Sequence, residues 1–114
     1  MKKDPVMAFR IKLFEVNVSG FPPVNYAAAS RGKAIASAWR DYTHAYDVSF
    51  KEFLKRASAR RAQEPEDFGK PIIVCGQPGY LVTGVYPNPS GYVRFARDDE
   101  DYTHFSHPAD VEAA

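Results

Sequence analysis

The chain has 114 residues, of which 45% are hydrophobic, 25% charged and 14% aromatic, with one cysteine and a net charge of +1. That balance fits one globular unit and excludes an extensively disordered polypeptide, with loose chain expected only at residues 1–5 and 112–114. No run approaches the ~20 apolar residues that a membrane-spanning helix needs, so the protein is expected to stay in the cytoplasm.

The near-neutral total conceals a split. Residues 1–63 carry twelve Lys and Arg against five Asp and Glu, whereas residues 64–114 carry three against nine. Such a dipole can turn a basic face to a polyanion, or dock its own halves or two copies head to tail.

Residues 8–18 alternate, first with Phe9, Ile11 and Leu13 apolar and then, after a slip in phase, with Phe14, Val16 and Val18. Alternation is the period of a half-buried strand, and a one-residue slip exchanges its faces, so a bulge or bend is expected near Leu13 and Phe14. Gly20, Pro22 and Pro23 end the strand. After a short extended piece over residues 24–28, Ser30 is placed as the N-cap of a helix. Its apolar positions Ile35, Ala38, Trp39, Tyr42, Ala45 and Tyr46 recur every three or four residues, which makes one stripe. Ser49 and Glu52 form a capping box that starts a second helix through about Arg56, with Phe50, Phe53 and Leu54 buried. Residues 57–62 fit either more helix or a strand returning beside the first. Residues 63–67, with Pro65 and three acids, read as a junction.

Beyond it, residues 71–75, 80–86, 92–96 and 102–105 are rich in β-branched and aromatic side chains and are separated by turn-forming residues at 76–79, 87–91 and 98–101. Short strands at this spacing suit a small, strongly bent barrel with Ile73, Val93, Phe95 and Phe105 inward. The expected fold is therefore α+β: an N-terminal strand and two helices (residues 1–63) packed on a C-terminal small antiparallel β-barrel (residues 64–114). Trp39, Tyr42, Phe50 and Phe53 are expected at the join, and the two halves are read as one cooperative domain.

Chemistry is sparse. Cys75 has no second cysteine to pair with and lies in an apolar run, which reads as a buried core residue. His104 and His107 stand three apart before Pro108 without a third ligand, so they read as a hydrogen-bonded histidine and a turn residue rather than a metal pair. The acids at 98–101 lack the alternating spacing of a calcium loop and read as a solvated hairpin tip. Ser30-Arg31-Gly32-Lys33 lacks the flanking residues of a phosphate loop and reads as a plain cap. No nucleophile elbow or catalytic set is present in the sequence, and neither cofactor nor metal is assigned, so the chain is read as non-enzymatic. Two surfaces stand out instead. Lys51, Lys55, Arg56, Arg60 and Arg61 are dense enough to neutralise phosphates, although they equally suit solvated charges facing the acidic half. Tyr80, Tyr86 and Tyr92, if gathered on one face, would make a protein-binding surface.

The run Tyr-Ala-Ala-Ala-Ser-Arg-Gly-Lys-Ala at residues 26–34, followed by the aromatic helix, the turn at 47–53 and the Arg60-Arg61 pair, resembles small uncharacterised proteins encoded by bacteriophages and prophages. In these a Ser-Arg-Gly-Lys-Ala type helix start precedes a Gly-rich β segment ending in His-Pro, which here would be residues 69–85, then 93–96, closing at His107-Pro108. The resemblance implies a fold and a phage setting and carries no catalytic residues. The β segment also looks like a small barrel of the Src-homology-3 type, a fold whose members bind peptides, nucleic acids or other subunits. The expectation is a non-enzymatic binding or assembly protein of phage or prophage origin acting on another protein. The alternative is a nucleic-acid-binding module that uses residues 51–61.

Overall fold

The computed structural model describes residues 9–85 and 91–114. Across these residues the chain is a mixed α+β protein with two α-helices and two antiparallel sheets. Strands β1 (Lys12–Val18), β2 (Val24–Ala28) and β3 (Ala57–Arg61) form the first sheet in the order β2-β1-β3, with helices α1 (Arg31–Tyr42) and α2 (Phe50–Leu54) between β2 and β3. Residues 57–61 are thus the returning strand, pairing Glu15 with Arg60 and Val16 with Ala59.

The first half follows from its side chains. The Ser30 hydroxyl accepts the Lys33 N–H at 3.2 Å and opens α1. The helix then lays Ala34 and Ala38 against Phe14, Val16, Ala28 and Phe53 in one core. The Ser49 hydroxyl accepts the Glu52 N–H at 3.2 Å, half of the expected capping box. The Glu52 carboxylate turns instead to Lys55 at 3.2 Å, and α2 ends at Leu54, which stays exposed.

No bulge interrupts β1. Its register with β2 runs unbroken from Lys12 to Val16 and with β3 from Phe14 to Val18. The slip in phase has another cause, namely that both faces of the strand are covered by different layers. Phe14 and Val16 turn to the helices, while Ile11 on the opposite face packs with Val82 and Ala96 of the second half. This cluster, with Phe9, Ala27, Phe68 and Val85 around it, is the join. It replaces the expected one: Trp39, Tyr42 and Phe53 pack within the first half, and Phe50 meets Trp39 there at 5.4 Å between ring centroids. Backbone closeness fixes Gly84 at the join, since at φ +83° a Cβ would lie 3.0 Å from Pro65 Cγ and 3.1 Å from Leu13 Cδ2.

The second half contains β4 (Pro71–Val74), β5 (Gln77–Leu81), β6 (Val93–Ala96), β7 (His104–Ser106) and β8 (Val111–Ala113), in the order β7-β6-β5-β4-β8. The sheet is open, not closed into the expected barrel. Its edge strands β7 and β8 are three residues each and do not pair with one another. The expected loose residues 112–114 instead supply most of β8, held on β4 through Ile72↔Ala113 and Val74↔Val111. His107 Nδ1 accepts the Ala109 N–H at 3.1 Å and starts a 3-10 turn, Pro108–Asp110, that delivers the chain to β8.

The hairpin from β4 to β5 turns at Cys75 and Gly76, both with positive φ (51° and 80°). Such a two-residue turn matches strand twist, so residues 77–79 join β5 instead of separating the strands. The same turn lifts Cys75 out of the core to an exposed position. Ile72 and Val74 consequently fill the interior with Phe95, whereas Ile73 is half-buried and Phe105, also expected inside, is 44% exposed. Among the described residues no helix is long and apolar enough to cross a membrane.

Candidate binding surfaces

The basic segment spans α2 and β3 and is largely matched by nearby acids. Arg60 Nε meets Glu15 Oε1 at 2.8 Å across the β1–β3 ladder, Arg61 meets Glu64 at 3.2 Å, and Lys55 meets Glu52. The Arg60 hydrogen bond holds the Glu15 carboxyl below its usual range. Arg61 also lies 6.0 Å from the Phe14 ring centroid. Lys51 and Arg56 are exposed and make no ion pair among the described residues.

The expected tyrosine face is dispersed. Tyr80 is half-buried at the join, its ring 4.9 Å from that of Phe9, and a hydrogen bond to Asp98 pushes its hydroxyl pKa upward. Tyr92 precedes β6 and is 49% exposed. Tyr86 lies outside the described residues.

A different aromatic cluster forms where the β1–β2 turn meets the end of α1. Phe21 packs edge-on against Tyr42 at 5.6 Å and Tyr46 at 5.9 Å, while Tyr42 and Tyr46 stack at 4.7 Å. Phe21 and Tyr46 remain 44% and 49% exposed. Together with Pro22, Val24 and Ala45 they border an apolar hollow of about 250 Å³.

A concavity of about 800 Å³ opens between the halves. One wall is a face of α1 bearing Lys33, Ala36, Ser37 and Arg40, the floor is β2, and the far wall carries Arg94, Tyr102 and Phe105. Its polar groups are mostly committed to one another. The Tyr26 hydroxyl donates to Asp41 Oδ2 at 2.9 Å, and burial followed by that bond drives the phenol pKa upward. Asp101 takes Lys33 Nζ at 3.2 Å on one oxygen and lies 3.3 Å from Arg10 Nε on the other, so a carboxylate of the acidic tip ties the two halves together. Arg94 is half-buried, which lowers its pKa, and it donates to Thr103 at 2.9 Å while lying 4.4 Å from the Phe105 ring centroid.

The rest of the tip is also structured. Glu100 Oε1 meets His104 Nε2 at 2.7 Å, and that bond holds the Glu100 carboxyl below its usual range. His104 stacks on Phe95 at 5.2 Å, so the histidine expected to be hydrogen-bonded finds its partner in the tip, and His107 is the turn residue.

One signal in the sequence points at these surfaces. Tyr46 continues the α1 stripe four residues beyond the helix's last residue, Tyr42, which leaves its ring without a helix to bury it. The cleft had no comparable signal, because Ala27, Ala28 and Ala36 carry no chemistry of their own. Comparison with protein-family models, curated proteins and solved structures returns no match to this chain.

Proposed function

We propose that this chain is a non-enzymatic binding or assembly protein that acts through protein contacts, of the phage or prophage type its helix start resembles. The observation that carries this reading is the exposed Phe21–Tyr42–Tyr46 cluster beside an apolar hollow. Aromatic side chains dominate binding energy in protein interfaces, and a contiguous apolar patch on a surface marks a place where a partner removes it from water. The second sheet is four strands in a meander, then a 3-10 turn, then a fifth strand returning to the first. An exposed, unpaired Cys75 suits a reducing, cytoplasmic setting. The alternative, phosphate binding through residues 51–61, is left with Lys51 and Arg56 as cations that meet no carboxylate among the described residues.

Placing a photo-crosslinking phenylalanine analogue at Tyr46 in the producing cell tests the reading. A discrete protein adduct is expected there, absent when the analogue replaces Lys51 and strongly reduced by Phe21→Ala. Recovery of uncrosslinked chain alone from both positions would sink it. A nucleic-acid adduct at Lys51 with none at Tyr46 would establish the alternative instead.

A further inference from the structure

The floor of the cleft between the halves offers backbone groups. Odd-numbered residues of β1 aim their N–H and C=O groups at β3, since the Leu13 carbonyl accepts the Ala62 N–H at 2.9 Å and the Ser19 N–H donates to the Arg56 carbonyl at 2.9 Å. The even-numbered residues therefore serve β2, and Val24, Tyr26 and Ala28 are the β2 residues bonded to them through the pairs Val16↔Val24, Phe14↔Tyr26 and Lys12↔Ala28. Asn25 and Ala27 consequently direct their own N–H and C=O groups outward, with no backbone partner among the described residues. As β2 is an edge of its sheet, these groups form a template for one more strand.

The walls specify what that strand should carry. Lys33, Ala36, Ser37 and Arg40 lie on one face of α1 at spacings of three, four and seven, while Tyr102 and Phe105 stand opposite, 59% and 44% exposed. The small side chain of Ala36 leaves room for a larger one brought by a ligand. The charges are unequal. Asp101 is engaged by Arg10 and Lys33, and Asp41 by Tyr26, but Arg40 makes its side-chain bond to the Ser37 hydroxyl at 3.3 Å and meets no carboxylate among the described residues.

We infer that this cleft binds an extended acidic peptide, which pairs with the outward edge of β2, sets an apolar side chain against Tyr102 and Phe105, and places a carboxylate on Arg40. Strand addition of this kind draws affinity from main-chain hydrogen bonds and selectivity from alternate side chains. The inference rests on the protein-contact reading but uses a surface separate from the Phe21–Tyr42–Tyr46 cluster, so each can fail without the other.

The test uses the full chain, labelled with ¹⁵N, and a pool of octapeptides in which Val or Thr alternates with Glu. A matched pool with Lys in place of Glu is the control. With the acidic pool at millimolar concentration, the Asn25 and Ala27 amide signals should move and exchange of the Ala27 amide should slow about tenfold or more, the signature of a newly buried hydrogen bond. The Lys pool should leave both unchanged. Ala27→Pro removes an outward N–H that β1 does not use, a position where an edge strand tolerates proline, and should abolish binding. Because the proline ring adds bulk at the join, Arg40→Glu on the exposed face of α1 provides a second arm: affinity for the acidic pool should fall about tenfold, the scale expected for reversing an exposed ion pair, and the Lys pool should begin to bind.

Unmoved Asn25 and Ala27 signals would overturn the inference. So would shifts confined to Phe21, Tyr42 and Tyr46, although these would uphold the broader reading. A concentration-dependent dimer that protects Ala27 without peptide would put a second copy of the chain in the cleft and equally defeat it.

Discussion

The two halves of this molecule are held together by different means. In the first half, side-chain volume does the work: a strand face and a helix stripe close over Phe53, which is fully buried among Phe14, Val16, Ala34 and Ala38. The second half has a smaller interior of Ile72, Val74 and Phe95, and adds backbone capture. Arg97 reaches across from the end of β6, donating to the Pro78 carbonyl at 2.7 Å and, at 3.4 Å, to those of Gln77 and Val74, while its guanidinium lies 4.9 Å from the Phe95 ring centroid. One cation thus straps the β4–β5 hairpin to β6. Packing by volume leaves a periodic trace in a sequence, whereas capture of carbonyls by a distant arginine leaves none.

Phe53→Ala should have the largest effect and breaks the comparison at its stronger end. Removing a fully buried phenylalanine forfeits transfer energy and leaves a cavity, for a loss of ~3–5 kcal/mol, measured by guanidinium titration followed at Trp39 fluorescence. Because Ile11, Val82 and Ala96 join the halves, amide exchange in β5 and β6 should accelerate in parallel. If exchange there held at the wild-type rate, the second sheet would be an independent unit.

Arg97→Met keeps much of the stem that packs on Phe95 and deletes the donors. Hydrogen bonds to a charged group are worth more than neutral ones, but this side chain is partly solvated, so a loss of ~1–2 kcal/mol is expected. Amide exchange should quicken first in the β4–β5 hairpin. Uniform acceleration across both sheets would mean that the strap carries no local weight.

The same contrast explains what could be read in advance. The Ser30 cap, the α1 stripe as far as Tyr42 and the strand character of β1 and β4 are local patterns, and the structure keeps them, while Ala45 and Tyr46 fall beyond the helix and stay exposed. The slip that suggests a bulge or bend in β1 comes from two covered faces, which alternation in one strand cannot distinguish from a change of phase. In the second half, a turn made by Cys75-Gly76 instead of residues 76–79 moved β5 toward the N-terminus, and with it the faces of the hairpin. β8 was invisible because Val111–Ala113 has little strand propensity and exists through pairing with β4. Of the surfaces, the basic residues were legible, but their carboxylate partners were only partly so: Glu52 and Glu64 are three residues away, Glu15 forty-five. The cleft was hidden because its floor is alanine and backbone.

The smallest expected effect sharpens the comparison at the cleft, where a single hydroxyl ties β2 to α1. Tyr26 donates to Asp41, and both burial and that bond favour the protonated phenol in the folded chain. A pKa raised above its unfolded value near 10.0 means that this contribution is fully present below that pH and is lost as pH climbs beyond it. Tyr26→Phe should therefore cost only ~0.5–1 kcal/mol at neutral pH. It should also lose less stability than the wild type between about pH 9 and 11. Tyr80 and Tyr102, whose pKa values are also raised, stay in both proteins, so the difference between the two urea titration series isolates residue 26. Parallel alkaline curves would mean that water already satisfies the Tyr26 hydroxyl. The wall of the cleft would then be held by the packing of α1 on β2 without a polar tie, as in the core beneath it.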